Sequence, residues 1–392
     1  MSAHSESSGP RVVLCGGGTG GHVYPALSVA EALRRKQPRV QILYIGGDRM
    51  EARAVPAAGL RFRRIAVHGL SGRGLSHLFQ RVRALLELVL LLPLLQSLFL
   101  LRGFRPRVVV GTGGYVTGPV MLAARLLHIP SITLEGNRTP GFTSRLVARL
   151  VDVVAVGWSD QIRAFEPLVR DGARVLTTGL PVRRELATLT REEGAQALGL
   201  DPKLCTVAVI GGSLGSRKIN ESFIGALRLL GKVDPRMRSV QILHVTGDRG
   251  PGRVALSREE ARDFVPHYRA VPFLDKDYPH ALAAADLVIT RGGASTVAEI
   301  AARGLPAILI PWSQATTGEQ VRNVEPLRDT GGAIMILDGE LNAELLASTL
   351  RSLLWDRDRL EEMARASRLL GKPTAADDVA DLALSLASRT GR

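Results

Sequence analysis

The segment Gly16-Gly17-Gly18-Thr19-Gly20-Gly21-His22 combines the residues of an anion site with a candidate proton acceptor at its edge. Glycines let the backbone turn sharply and approach a ligand closely, and N–H groups at the start of a following helix attract negative oxygen. Histidine changes charge near neutral pH, so His22 is a candidate general base. An apolar run at 12–15 precedes the glycines and a helical pattern begins near Pro25. Strand, turn and helix must therefore position this chemistry.

The segment also satisfies G-x-G-x-x-G, a pattern shared by many dinucleotide-binding folds. Recurrence adds weight. Residues 207–210 lead into Gly211-Gly212-Ser213-Leu214-Gly215, and 287–290 lead into Arg291-Gly292-Gly293-Ala294-Ser295-Thr296. Ser295 or Thr296 is suited to cap the helix that follows.

Short apolar runs alternating with helical patterns predict a parallel α/β architecture. Strands are expected at 12–15, 41–45, 62–67, 107–111, 131–134 and 153–156, then at 207–210, 241–245, 268–271, 287–289, 307–310 and 333–336. Two Rossmann-like halves result, joined near Gly179-Leu180-Pro181. The expected division is a disordered tail at 1–10, domains at 11–179 and 180–370, and a helix at 371–392 packing back on the first domain.

A chain of 392 residues exceeds one ordinary hydrophobic core, and 45% apolar content suits a globular protein. The tail lacks the apolar centre of a signal peptide, so no secretion is expected. Cys15 and Cys205 stand apart, which makes neither a disulfide framework nor a metal site and fits a reducing cytoplasm. Asp275-Lys276-Asp277 and Asp356-Arg357-Asp358 each place a cation between the acids and read as solvated turns, so no metal is expected.

Net charge is +14, and it is one-sided: 20 of 51 Lys and Arg but 6 of 37 Asp and Glu lie in the first 150 residues, leaving 31 of each beyond. Such a field suits a polyanion: nucleic acid, nucleotide phosphates or an anionic membrane. Residues 85–101 read LLELVLLLPLLQSLFLL, flanked by Arg81, Arg83, Arg102, Arg105 and Arg107. Glu87, Pro93 and Gln96 argue against a membrane span. Leucine nearly all round exceeds what one buried helix face requires, so the 81–107 region is read as resting on an anionic membrane surface.

The segments GGGTGGHVYPALSVAEAL, VVVGTGGYVTGPVMLAA, GNRTPGFTSRLVAR, GLPVR, GGSLGSRKIN and TRGGASTVAEIAARGLPAILIPW, followed by EQVRN, resemble in order those of the MurG family. Its members transfer N-acetylglucosamine from UDP to undecaprenyl-pyrophosphoryl-muramyl-pentapeptide (lipid I), making lipid II. The resemblance implies a GT-B architecture, two Rossmann-like domains facing a cleft, and an inverting transfer at the cytoplasmic membrane face by a peripheral protein. Partners would be UDP-N-acetylglucosamine, lipid I and the membrane, with no nucleic acid and no cofactor. By the same resemblance Glu299 would bind the ribose hydroxyls, Ser213 the diphosphate, Arg183 its charge, Leu274 the uracil through its backbone and Gln320 the sugar hydroxyls. Ala294, Ser295, Thr296, Val297 and Ala298 would line the donor, and Thr19, Gly20, Gly21 and Asn137 would approach it from the first domain. Gly18, Tyr115 and Asn137 would form the acceptor cleft.

The family usually has His-Glu-Gln-Asn where this chain has Leu134-Glu135-Gly136-Asn137, GSQG where it has Gly212-Ser213-Leu214-Gly215, and GNPVR where it has Gly179-Leu180-Pro181-Val182-Arg183. A different nucleotide sugar or acceptor is thus a second reading. An NAD-dependent oxidoreductase using Gly16 to Gly21 and Asp48 is a third, although Asp48 lies farther on than the fingerprint requires. A non-catalytic membrane scaffold is a fourth.

Overall fold

The computed structural model describes residues 9–67, 79–212, 215–247, 254–312 and 318–389, with the backbone alone at 79–90. The chain divides into two compact units, Met1–Pro181 with Thr374–Arg392, and Val182–Pro373.

The first unit holds seven parallel strands: β1 (Arg11–Cys15), β2 (Gln41–Gly46), β3 (Arg61–Arg64), β4 (Val108–Gly111), β5 (Ser131–Glu135), β6 (Val153–Val156) and β7 (Arg174–Thr177). Their order is β3-β2-β1-β4-β5-β6-β7. The central strands are runs of Val, Leu and Ile covered on both faces, as a parallel sheet requires. Val12 and Leu14 face one core and Val13 and Cys15 the other, the alternation of a strand buried twice. Strand β7 is absent from the sequence reading because its RVLT is short, bears charge and is only partly covered.

Helix α1 (Gly20–Lys36) starts with Thr19 at its N-cap, upstream of the expected start near Pro25. Pro25 lies inside the helix on its buried side; it forgoes one backbone donor but does not set the boundary, which lies at the end of the glycine turn. His22 consequently sits in the first helical turn. Helix α2 (Glu51–Ala57) follows β2, α3 (Phe79–Phe104) precedes β4, and α4 (Thr117–Leu126) follows it.

Over its described side chains α3 has two characters. Leu94, Leu98, Leu101 and Phe104 pack on the sheet, while Leu91, Leu92, Leu95 and Phe99 are exposed, Phe99 at 79%. Among the described residues no helix is long and apolar enough to cross a membrane.

The helix Ala375–Arg389 returns to this unit. Val379, Ala380 and Ala383 are fully buried in the core that contains Val23, Ala26 and Leu33 of α1. Lys36 Nζ donates to Asp381 Oδ2 at 2.7 Å, and Arg35 pairs with Asp377. These ion pairs are solvent-accessible and add little, so the apolar seam holds the helix.

The second unit has six parallel strands, β8 (Cys205–Ile210), β9 (Val240–Val245), β10 (His267–Val271), β11 (Leu287–Thr290), β12 (Ala307–Leu309) and β13 (Ala333–Met335), in the order β10-β9-β8-β11-β12-β13. Its helix Arg217–Val233 packs Ile219, Phe223 and Leu227 against β8 and β9 and against Leu346 and Leu350 of the helix Ala343–Leu354.

Candidate active site

In both sheets the strand order reverses between two neighbours, β1 and β4 in one unit and β8 and β11 in the other. Parallel α/β sheets bind ligands beyond the carboxyl ends of strands at such a reversal. Glycine turns stand there: Gly16 to Gly18 after β1, Gly113 and Gly114 after β4, Gly211 to Gly215 after β8, and Gly292 and Gly293 after β11.

In the first unit the two turns pack backbone to backbone. Gly113, at φ +102°, leaves room for the imidazole; a Cβ there would lie 2.6 Å from His22 Nδ1. His22 Nδ1 is 2.8 Å from the Thr112 carbonyl oxygen, which can only accept, so Nδ1 carries the proton and Nε2 is the basic nitrogen. Thr112 Oγ1 donates in return to the His22 carbonyl at 2.6 Å.

Glu51 holds the other side of the loop. It is 1% exposed; one carboxylate oxygen accepts from Gly18 N and the other from Gly47 N, each at 2.9 Å. Tyr44, buried within the sheet, donates its hydroxyl to the Gly16 carbonyl at 3.1 Å. Gly18, Gly20 and His22 are half-buried, and Thr19 and Gly21 exposed, at the start of α1. Tyr115 is 49% exposed next to Gly114.

Asn137 is half-buried in a separate loop. Its N–H donates to Glu135 Oε1 at 2.8 Å and its carbonyl accepts from Gln161 Nε2 at 2.6 Å. Buried Glu135 also accepts from the Ser144 hydroxyl.

In the second unit the helix Ala294–Arg303 starts at Gly293, which has no side-chain cap. This corrects the expectation that Ser295 or Thr296 caps it: the helix begins before either, and both lie inside its first turn. Val297 and Glu299 are buried, while Ala294, Ser295, Thr296 and Ala298 are half-buried. Glu299 Oε1 lies 3.5 Å from Arg183 Nη2, and Glu299 Oε2 accepts from Tyr278 Oη at 3.0 Å. Burial raises the Glu299 pKa, opposed by the Arg183 charge and the hydrogen bonds from Tyr278 and Arg183.

Arg183 Nη1 donates to the Asp275 carbonyl at 3.2 Å, beside buried Leu274. Gln320 is half-buried at the start of the helix Glu319–Asp329, and its side-chain oxygen accepts from Trp312 N at 2.9 Å. A Cβ on Gly292 would lie 2.9 Å from the Gln320 carbonyl, so that helix seats directly on the glycine turn. Ser213 lies outside the described residues.

Two interior networks support these turns. Arg291 Nη2 donates to Ser216 Oγ at 2.7 Å, and the same guanidinium pairs with Asp338, tying the turns after β8 and β11. His244 Nε2 lies 3.0 Å from Asn220 Oδ1 and Nδ1 2.7 Å from Tyr268 Oη. Since Asn220 Nδ2 donates to the Thr246 carbonyl at 2.8 Å, Oδ1 accepts and the His244 proton belongs on Nε2. A Cβ on Gly215 would lie 2.4 Å from that same Thr246 carbonyl.

Glu51, Thr112, Tyr278, Gln161 and Asp338 have no role in the sequence reading of the site, and Arg291 has only a place in its turn. Their signal is tertiary: each acts on a glycine turn or a candidate ligand residue distant in sequence. Among the described residues, no group of three or more His, Cys, Asp or Glu could hold a metal ion.

Two parallel-sheet units, each with glycine turns at its strand reversal, are the architecture of GT-B glycosyltransferases. The glycosyltransferase family 28 N-terminal domain matches residues 12–156 and the family 28 C-terminal domain residues 206–379. A UDP-N-acetylglucosamine–N-acetylmuramyl-(pentapeptide) pyrophosphoryl-undecaprenol N-acetylglucosamine transferase of Halothermothrix orenii is 40% identical over 376 residues, 95% of this chain and 98% of that one. Its counterpart from Desulforudis audaxviator is 39% identical over 387 residues, 97% and 100% of the two chains. A crystal structure of Acinetobacter baumannii MurG matches with a TM-score of 0.69 at 28% identity, covering 96% of this chain and 99% of that one. The chain belongs to the MurG family of N-acetylglucosamine transferases. A Neisseria meningitidis UDP-GlcNAc 2-epimerase shares the fold at 14% identity, TM-score 0.67, covering 96% and 100% of the two chains.

Proposed function

We propose that this chain moves N-acetylglucosamine from UDP-N-acetylglucosamine to the muramyl sugar of undecaprenyl-pyrophosphoryl-muramyl-pentapeptide, with inversion at the anomeric carbon. The observation that carries the reading is the conjunction of full-length likeness to these transferases with glycine turns at both strand reversals. UDP-sugar is a substrate, and the reaction is written with no cofactor and no metal.

The acceptor hydroxyl attacks the anomeric carbon, the bond from that carbon to the UDP oxygen breaks, and the hydroxyl proton passes to His22 Nε2. The tautomer held by the Thr112 carbonyl makes Nε2 the acceptor nitrogen. Glu299 takes the ribose hydroxyls, Leu274 frames the uracil, and Gln320 binds the sugar. Ser213, Arg183 and the N-terminus of the helix Ala294–Arg303 meet the diphosphate, where cations and aligned N–H groups oppose the charge developing on departing UDP. Thr19, Gly20, Gly21 and Asn137 are assigned to the sugar nucleotide, and Gly18, Tyr115 and Asn137 to the acceptor.

The protein is proposed to work as a peripheral enzyme on the cytoplasmic face of the membrane. Exposed Leu91, Leu92, Leu95 and Phe99 on α3, with the basic excess of residues 1–150, support that reading.

The test is transfer from labelled UDP-N-acetylglucosamine to a short-chain lipid I analogue by the wild type and by Glu299→Ala. Product that is lost in the variant supports both the activity and the donor site. UDP binding without product would reject this donor and acceptor pair; protection of the wild type against thermal unfolding by NAD and not by UDP would reject the transferase.

A further inference from the structure

Arg183 and Glu299 are carried by distant segments, yet one aromatic side chain touches both. The Tyr278 hydroxyl donates to Glu299 Oε2 at 3.0 Å, and the Arg183 guanidinium carbon stands 4.7 Å from the centroid of the Tyr278 ring. Arg183 Nη2 is 3.5 Å from the other carboxylate oxygen, and Arg183 Nη1 reaches the carbonyl of Asp275 on the chain just before Tyr278. Glu299 is 7% exposed and Tyr278 half-buried. Residues 274–278 thus supply the expected uracil neighbour, a carbonyl for Arg183 and a hydroxyl for Glu299.

We propose that Tyr278 is a positioning residue for donor recognition, aiming the Glu299 carboxylate at the ribose through its hydroxyl and the Arg183 guanidinium at the diphosphate through its ring. The inference rests on the donor-site reading given above. A hydrogen bond at one oxygen restrains the rotation of the carboxylate, which favours a bidentate grip on two vicinal hydroxyls. A guanidinium stacked on a ring keeps its N–H edges available for anions. Arg183 and Glu299 neutralise each other. Donor binding replaces that pairing with two others, ribose on Glu299 and diphosphate on Arg183, while Tyr278 keeps hold of both side chains.

The two parts of the tyrosine are separable. Tyr278→Phe removes the hydroxyl and keeps the platform; Tyr278→Ala removes both. UDP and uridine binding are measured on the full-length chain and both variants by titration calorimetry, with thermal unfolding to establish that each is folded. Tyr278→Phe is expected to weaken UDP and uridine by the same factor, about 10- to 150-fold, the size of one charge-assisted hydrogen bond. Tyr278→Ala is expected to weaken UDP further, by a factor that uridine does not share. In turnover, Tyr278→Phe should raise KM for the sugar nucleotide with kcat within about twofold, because the ribose contact is the same in ground and transition states.

Wild-type affinity for UDP in a folded Tyr278→Phe protein overturns the proposal. So does an equal loss of kcat and kcat/KM with unchanged UDP binding, which a general structural defect would give. A wild-type chain that binds no UDP would instead overturn the donor-site reading itself.

Discussion

His22 and Thr112 are joined twice, once from each residue to the other's main chain. The imidazole Nδ1–H donates to the Thr112 carbonyl at 2.8 Å, and the threonine hydroxyl donates to the His22 carbonyl at 2.6 Å. The first bond sets the tautomer, and the second fixes the turn of α1 that carries the ring. Removing the hydroxyl in Thr112→Val leaves the tautomer bond but frees that turn. One buried hydrogen bond is worth about 1 kcal/mol, so a roughly 5- to 10-fold fall in kcat is expected, with UDP affinity unchanged. Steady-state transfer beside UDP titration checks both halves.

Glu51 is a buried acid whose partners are two main-chain donors. Glu51→Ala would strand both N–H groups at about 1–3 kcal/mol each. A melting temperature lower by roughly 4–24 °C is expected for a domain of this size, at about 2–4 °C per kcal/mol. Glu51→Gln should recover only part of this, since its amide NH2 cannot accept from a second N–H. A melting curve within a degree of wild type for both variants would reject the assignment.

For Arg183 and Glu299 the sign of the pH dependence follows from burial. Burial raises the Glu299 pKa and Arg183 opposes the rise. In Arg183→Met the carboxyl is pushed higher still, and a carboxyl raised in the folded state gives stability that is present at low pH and lost as pH rises through the folded pKa. The variant is therefore expected to lose more stability relative to wild type at pH 8 than at pH 5. Breaking a fully buried pair costs about 3–5 kcal/mol; Arg183 retains some exposure, so the loss should fall below that. Thermal unfolding across pH 4–8 reads it.

His244 predicts the opposite slope. Burial lowers its pKa from 6.5 to about 4, so the folded protein holds it neutral while the unfolded chain protonates it. Stability from this group is complete above pH 6.5 and falls as pH drops toward 4, by about 3 kcal/mol at roughly 1.4 kcal/mol per unit. His244→Gln should flatten the acid limb of a pH–stability curve. An unchanged acid limb would show that other groups set it.

Much of the fold is legible in the sequence because parallel strands buried on both faces are written as uninterrupted apolar runs, as in 108–111 and 153–156. Glycine turns mark where those strands end. What is hidden is hidden for a physical reason. β7 is partly exposed and carries too little apolar patterning, and α1 starts before its proline because the turn after β1, not Pro25, sets its first residue. Of the expected site, His22 is reached from its place beside the first glycine turn, and Glu299 and Arg183 by resemblance to known motifs. Glu51, Thr112 and Tyr278 are reached only through contacts between residues 33, 90 and 21 positions apart in the chain.

Exposed Leu95 and Phe99, four residues apart on α3, lie on one side of the helix. Leu95→Ser with Phe99→Ser should reduce sedimentation with anionic vesicles about tenfold or more, given the apolar area withdrawn from the acyl region. Transfer to a water-soluble acceptor analogue should be unaffected. Equal sedimentation of the pair and the wild type would remove this surface from the membrane reading.

The return of the helix Ala375–Arg389 to α1 sets an order of events during synthesis. Arg35 and its partner Asp377 are separated by 342 residues. While a ribosome makes the second unit, the seam of Val23, Ala26 and Leu33 waits without Val379, Ala380 and Ala383. The amino-terminal unit therefore matures last although it is translated first. That interval leaves an apolar strip open to chaperones, and a stop codon placed before residue 375 should send the product to aggregation or proteolysis even though every residue assigned to the chemistry has been made.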